Sequence, residues 1–370
     1  MKILADAHIP YLQGVAEQFG KVVYLPGDHF TKEVIKDKDV LIVRTVTHFD
    51  EKLLKDSAVK LICSATIGYD HIDTSYCDAN GIAWRTAPGC NARSVEQYVV
   101  ASLIRMAEKH DFDLKDKTIG IVGVGNVGKE VARACELLGM KVLLNDPPRE
   151  EAEGSDGFVD ISTIQKAADI ITFHTPLNKT GRHATYHIGD SDFFEKLSKR
   201  PIIINSSRGA VVDNQALKVS LKLGHVSGAI IDTWENEPNI DTELLEMVDI
   251  ATPHIAGYSA DGKWNATMMT LNTINDFFKL NQDPIQLIPI QQPNENVIDV
   301  SACELKNQLG HAILKTYDPL QDSLLLKESP NKFYYFRSHY PLRREYKAYF
   351  VEGFTNELVS VAKEFGFKIQ

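Results

Sequence analysis

Cysteine is scarce and shows no pattern: Cys63, Cys77, Cys90, Cys135 and Cys303 are scattered, odd in number, and form neither a CxxC nor a Cys/His pair at metal-ligand spacing. A zinc module and a disulfide framework are therefore not expected; no metal is, and the thiols fit a reducing compartment. Basic charge is in deficit, with 40 Lys+Arg against 50 Asp+Glu and a formal net charge of −10. That balance argues against general affinity for nucleic acid, which depends on a basic face, and means that an anionic ligand needs a local basic pocket. No apolar run approaches the roughly 20 residues that span a bilayer, so no membrane insertion is expected. The first residues, "MKILADAHIP", lack the apolar segment of a signal peptide and read as the start of a strand in a cytoplasmic protein. Internal repeats and low-complexity tails are absent as well.

What is present is globular: 44% hydrophobic and 24% charged residues in 370 positions, too many for one ordinary core. Residues 1–93 alternate short apolar runs, "KILAD", "KVVYL", "DVLIVR", "KLICSA" and "GIAWR", with polar stretches compatible with helices. Such alternation predicts a parallel, doubly wound sheet. "NARSVEQYVVASLIRMAEKH" follows with helical spacing, and a second series then begins: "TIGIVG", "KVLLN", "DIITF", "PIIIN", "GAIID" and "DIAT". Six is the strand number of the full dinucleotide-binding sheet. A helix near 261–280 with Trp264, Met268, Leu271, Ile274 and Phe278 on one stripe is expected to return to the first domain. The expectation is thus an α/β protein with two doubly wound parallel-sheet domains of Rossmann and flavodoxin-like type. One domain covers 1–93, completed by the 256–280 helix; a second, with the strand number of a dinucleotide-binding sheet, covers 94–255. A small α+β domain at 281–370, rich in aromatic and basic residues such as "FYYFRSHYPLRREY", is expected to mediate dimerisation.

The densest local signal is "TIGIVGVGNVGKEVARACELLGMKVLLND". Gly123, Gly125 and Gly128 fall in the GxGxxG pattern between a strand and a helix, and a second strand ends at Asp146. The first glycine permits a tight turn, the second lets the backbone approach a pyrophosphate, and the third lets the helix pack on the strand. Asp146 would accept hydrogen bonds from ribose hydroxyls and repel a 2′-phosphate, favouring NAD over NADP. Arg149 stands against this, because a nearby arginine can accommodate that phosphate.

Three later strand ends carry polar groups: Arg208 in "INSSRGAVVD", Asp232, Glu235 and Glu237 in "DTWENEP", and His254 in "TPHIAGY". A guanidinium at a strand's carboxyl end can hold a carboxylate through two parallel hydrogen bonds, an acidic side chain can orient an imidazole, and the imidazole can move a proton. In one sheet these ends can converge where a nicotinamide would lie. The alternative reading of each residue alone is structural: a salt-bridged arginine, solvated acids and a strand-end histidine.

The ordered set "GVGNVG", "SSRGAVVD", "DTWENEP" and "PHIAG" resembles the D-isomer-specific 2-hydroxyacid dehydrogenases over roughly the first three quarters of the chain. "SATIGYDHID", "APGCNA", "NDPPR" and "YPLRREY" narrow the resemblance to a subgroup acting on a phosphorylated 2-hydroxy acid. The resemblance implies Arg208 as binder of the substrate carboxylate and carbonyl, Glu237 as partner of the histidine and His254 as acid/base. It implies Gly123, Gly125, Asn126, Val127, Gly128, Asp146, Thr175, Ser206, Ser207, Arg208, Asp232 and Gly257 around NAD, and Thr45, Thr66 and Tyr258 near the substrate. Thr45 stands where a serine is common, and a hydroxyl is retained. A substrate phosphate would need cations; Arg44 is the candidate, with Arg343 and Arg344 either reaching a neighbouring subunit or forming surface salt bridges. His71 and His174 are expected to have local structural roles. Two alternatives stay open: another dehydrogenase of the family, such as one acting on phosphoglycerate, and a non-catalytic NAD-sensing protein.

Overall fold

The computed structural model describes residues 1–280 and 285–370. These fall into two units, Met1–Asn91 with Ser259–Gln291, and Ala92–Tyr258 with Gln292–Gln370. The boundary expected at 281 lies outside the described residues.

In the first unit, β1 (Lys2–Asp6), β2 (Lys21–Leu25), β3 (Val40–Val43), β4 (Leu61–Ser64) and β5 (Ala83–Arg85) form one parallel sheet in the order β2-β1-β3-β4-β5. This is the flavodoxin-like order. β3 and β4 are buried throughout, which explains why they read as continuous apolar runs rather than alternating ones. Ile3, Ala5 and Leu61 pack on one face with Leu271 and Ile274 of the helix Ala260–Phe278, so that helix belongs to this unit. Leu4, Leu41, Ile62 and Phe49 fill the other face.

The second unit holds a six-stranded parallel sheet, β6 (Thr118–Val122), β7 (Lys141–Asn145), β8 (Ile170–Phe173), β9 (Ile202–Asn205), β10 (Gly228–Ile231) and β11 (Ile250–Ala251). Its order is β11-β10-β9-β8-β6-β7, with an isolated bridge between Leu144 and Phe158 beside β7. All six apolar runs read from the sequence are strands here. The reversal of strand order between β6 and β8 creates the crevice at the carboxyl edge where ligands bind in open α/β sheets. The C-terminal residues add three short parallel strands, β12 (Val297–Asp299), β13 (Phe350–Glu352) and β14 (Lys368–Ile369), with helices Leu305–Thr316 and Asn356–Phe365. Ala312, Tyr346 and Phe365 share one hydrophobic cluster with Val99, Ile121 and Ile230, so the residues from 292 onward and the six-stranded sheet are built on a common core. Among the described residues, no helix is long and apolar enough to cross a membrane.

One polar group inside that core carries a measurable consequence. Glu96, on the helix Ala92–His110, is fully buried, neither carboxyl oxygen has a hydrogen-bond partner among the described residues, and Arg93 Nη1 approaches no closer than 3.4 Å. Burial pushes its carboxyl up to about 8, against the partial relief given by Arg93. Folding therefore binds this proton more tightly than the unfolded chain does, and the stabilising contribution present below the ordinary glutamate value is lost as pH rises through about 8. Glu96→Gln is expected to flatten the fall in Tm between pH 5 and pH 8 and to raise Tm most at the alkaline end. Thermal melts across that range check it; an unchanged pH slope would contradict it.

Candidate active site

The glycine-rich turn is set by close backbone packing. A Cβ on Gly128 would lie 2.1 Å from the Gly123 carbonyl oxygen, so only glycine lets the helix Asn126–Leu137 start against the end of β6. Gly125 and Asn126 are exposed, and Gly125 has open space where a side chain would point. No side chain caps this helix, which leaves its first N–H groups directed at a prospective anion, with Val127 half-buried behind them. At the end of β7, Asp146 accepts from Val124 N at 2.8 Å and from Arg149 N at 3.1 Å, which fixes its carboxylate beside the turn. Arg149 donates to Val124 O at 2.8 Å, pairs with Glu153 and stacks on Phe158. Its guanidinium is engaged by these partners, which removes the sequence-level reason to favour a 2′-phosphate. Two further observations fit a ligand along this edge: the hydroxyl oxygens of Thr175 and Ser206 are buried and have no hydrogen-bond partner among the described residues.

Arg208 follows β9. The buried Asn205 side chain shapes its loop, donating to the carbonyls of Arg208 (3.0 Å) and Gly209 (3.4 Å) and accepting from Ser207 Oγ (2.9 Å). A Cβ on Gly209 would fall 1.9 Å from the Trp234 carbonyl oxygen, so the loop after β9 lies flat on the loop after β10. That contact brings Arg208 beside Glu237. Leu177, Arg208, Trp234, Glu237 and His254 line one open cavity of about 300 Å³.

Within it, Glu237 Oε2 lies 2.8 Å from His254 Nδ1, and Oε1 accepts from Trp234 N at 2.9 Å. Burial alone would raise the Glu237 carboxyl, but the hydrogen bond and charge of His254, the Trp234 N–H and the Arg337 charge hold it below the usual carboxylate value. An ionised carboxylate only accepts, so Nδ1 of His254 carries the proton in this pair and Nε2 is the basic nitrogen. Glu235 does not compete for this role. It is turned to His187 Nε2 (2.7 Å) and Asn214 N (2.9 Å).

His254 has φ +57°, a left-handed conformation that costs a residue other than glycine on the order of 1–3 kcal/mol. A buried network holds it there. Asp232 accepts from Ile255 N (2.7 Å), Ala256 N (3.0 Å) and Thr252 Oγ1 (2.7 Å), and Tyr98 donates in turn to Thr252 at 2.9 Å. His254 N also donates to the Asp232 carbonyl at 2.8 Å. Asp232, 1% exposed, thus positions the 252–256 loop through its carboxylate. Gly257 and Tyr258 continue this loop, with Tyr258 N on Ile255 O at 2.8 Å.

The remaining expected residues divide between the units. Thr45 is exposed directly after β3, and Thr66 after β4 bonds Ser64 Oγ (2.7 Å) and Gly68 O (3.1 Å). Arg44 forms a two-pronged pair with the buried Asp6, at 2.9 and 3.2 Å. Arg343 and Arg344 are not the surface residues expected: they are 4% and 5% exposed. Arg343 donates to Gln97 Oε1 (3.0 Å) and to the carbonyls of Ser94, Ile255 (3.3 Å) and Ala256 (3.0 Å), and stacks on Tyr317. It braces the His254 loop from behind. Burial lowers the imidazoles of His71 to about 4 and of His174 to about 3, leaving both neutral at neutral pH. Sequence reasoning missed Arg337, whose Nε donates to Tyr258 Oη at 3.0 Å. It lies in the segment already noted as aromatic and basic, but nothing local marks which cation there meets the site.

Comparison with known proteins gives the same architecture a family setting. Residues 90–256 match the D-isomer specific 2-hydroxyacid dehydrogenase NAD binding domain, and residues 289–366 match a domain of unknown function. The erythronate-4-phosphate dehydrogenase of Bacteroides thetaiotaomicron is 48% identical over 354 residues, covering 95% of this chain and 99% of the relative. That of Porphyromonas gingivalis is 44% identical over 368 residues, covering 99% of this chain and 100% of the relative. Among solved structures, NAD⁺-bound 3-phosphoglycerate dehydrogenase from Entamoeba histolytica superposes with a TM-score of 0.64 at 26% identity, covering 79% of this chain and 99% of that one. D-lactate dehydrogenase from Aquifex aeolicus, in complex with NAD and lactic acid, gives 0.62 at 23% identity, covering 78% and 99%.

Proposed function

The chain belongs to the D-isomer-specific 2-hydroxyacid dehydrogenase family and, within it, to the erythronate-4-phosphate dehydrogenases; on that premise we propose the reaction and the roles that follow. The protein is an NAD-dependent oxidoreductase. It oxidises the C2 hydroxyl of 4-phospho-D-erythronate to give (R)-3-hydroxy-2-oxo-4-phosphooxybutanoate, a step toward pyridoxal 5′-phosphate. The observation that carries this reading is the Glu237–His254 pair in one cavity with Arg208, in a chain matched nearly end to end by relatives of that name.

When bound, NAD would supply the acceptor for the hydride that leaves C2. The residues that would hold it are Gly123, Gly125, Asn126, Val127 and Gly128 at the pyrophosphate, Asp146 at the ribose hydroxyls, and Thr175, Ser206, Ser207, Asp232 and Gly257 along the carboxyl edge of the sheet. Arg208 holds the substrate carboxylate and polarises the oxygen that becomes the carbonyl. His254 removes the hydroxyl proton through Nε2, and Glu237 fixes the ring and stabilises the imidazolium that forms. Thr45, Thr66, Arg44 and Tyr258 are assigned to substrate contacts. The reading extends to a cytoplasmic homodimer assembled through residues 281–370. Leu324, Leu325, Tyr334 and Tyr335, which are 61%, 49%, 63% and 56% exposed, support that assembly. Sedimentation at the protomer mass would refute the dimer.

The function is tested by NADH formation with 4-phospho-D-erythronate, 3-phosphoglycerate and D-lactate side by side, with a 2-oxo acid acceptor present in parallel. Preference for the first is expected. Turnover of only another acid would retain the chemistry and discard the substrate; binding of NAD without any turnover would leave the sensor reading.

A further inference from the structure

The C-terminal segment matches a domain of unknown function, yet it places a cation at the active-site loop. Arg337 lies on the short helix Phe333–Ser338 and is half-buried. Its Nε donates to Tyr258 Oη at 3.0 Å, its guanidinium stands 5.7 Å from the centre of the Tyr258 ring, and its charge helps to lower the Glu237 carboxyl. Among the described residues this side chain makes no salt bridge within 4.0 Å, and its hydrogen bond to Tyr258 is made through Nε alone. Glu237 does not neutralise it by contact: among the described residues its carboxylate meets His254 and Trp234, and no ion pair within 4.0 Å joins it to Arg337.

A guanidinium held by a neutral phenol keeps its full charge and its terminal N–H fork for another acceptor. A half-buried arginine without a contacting carboxylate can take an added anion without first giving up an ion pair. Nearby cations are already engaged: Arg343 is consumed by backbone carbonyls, and Arg208 is assigned to the substrate carboxylate. A four-carbon acid with a terminal phosphate carries a second anion at the end remote from that carboxylate.

We propose that Arg337 is the substrate-phosphate residue of this site, binding the phosphate with its terminal nitrogens while its Nε holds Tyr258 against the substrate. The C-terminal segment thereby serves as a specificity element, supplying the cation that separates phosphorylated from unphosphorylated 2-hydroxy acids. This rests on the substrate class proposed above.

The test compares kcat/KM for 4-phospho-D-erythronate and D-erythronate in the native chain, Arg337→Ala and Arg337→Lys, with inorganic phosphate as a competing probe. Charged hydrogen bonds of this kind carry a factor of about 10–100. The native chain is expected to favour the phosphorylated acid, Arg337→Ala to lose that selectivity by about this factor mainly through KM, and Arg337→Lys, which keeps a point charge, to recover part of it. Inhibition by inorganic phosphate should weaken in parallel. Equal losses on both acids, carried by kcat, would overturn the proposal and reduce Arg337 to a positioning residue for Tyr258. Retention of selectivity in Arg337→Ala would overturn it while sparing the substrate reading. A native chain indifferent to the phosphate would overturn both.

Discussion

Replacement of His254 by asparagine is expected to lower kcat by about 10²–10⁴-fold, the range for loss of a general acid/base, with NAD affinity little changed. Asparagine is the informative substitution because it tolerates the left-handed backbone at this position, φ +57°, better than alanine does. The buried ties through Asp232 to Ile255 N and Ala256 N remain, so the loop keeps its shape while the basic nitrogen is lost. A drop of similar kind, though smaller, is expected for Glu237→Gln. The glutamine amide can present N–H to Nδ1, which stabilises the wrong tautomer and costs the imidazolium its counter-charge. Stopped-flow measurement of NADH formation, with NAD affinity determined separately by fluorescence, separates these effects from binding. Full kcat in His254→Asn would remove the histidine from the chemistry.

The second large effect is expected at Arg208. Arg208→Lys keeps the charge but gives up the planar fork, and a loss of about 10²–10³ in kcat/KM follows if two parallel hydrogen bonds orient the carboxylate and polarise the developing carbonyl. The loss should appear in both kcat and KM, because the interaction serves the bound substrate and strengthens in the transition state. Most of the loop's shape should survive, because the Asn205 side chain and the Gly209–Trp234 contact hold it alongside the Arg208 Nη1 bond to Ser207 O at 2.8 Å. A lysine variant within about threefold of the native kcat/KM would show that charge alone suffices and that the bidentate argument is wrong.

The parts of this site that the sequence announced share one property: their signal is local. Strands buried on both faces, such as Ile202–Asn205 and Gly228–Ile231, write their burial into consecutive apolar residues, and the glycine turn writes its packing into a fixed spacing. Arg208, Glu237 and His254 were legible because each lies in the loop after a strand of one sheet, whose topology gathers those loops. What stayed hidden depends on contacts between residues distant in the chain. The Tyr98–Thr252 hydrogen bond joins positions 154 residues apart, and Arg343 reaches back 249 residues to Ser94. Neither leaves a periodicity or a motif. A cluster such as Asp232, Glu235 and Glu237 shows how far residue type can go: three acids within six positions divide into a loop anchor, a partner of His187 and the partner of His254. Only the fold distinguishes them. The core that Tyr346 and Phe365 share with the six-stranded sheet was likewise invisible, since residues 281–370 were expected as a separate small domain.

The central claim is that hydride leaves C2 of the substrate directly while His254 takes the hydroxyl proton. It is tested most directly with 4-phospho-D-erythronate deuterated at C2, following the label by mass spectrometry of the recovered nicotinamide cofactor. The account predicts deuterium on the reduced nicotinamide in the native chain, at one atom per turnover, and almost none formed by His254→Asn over the same time. Oxidation of the acid with the deuterium lost to water would contradict it.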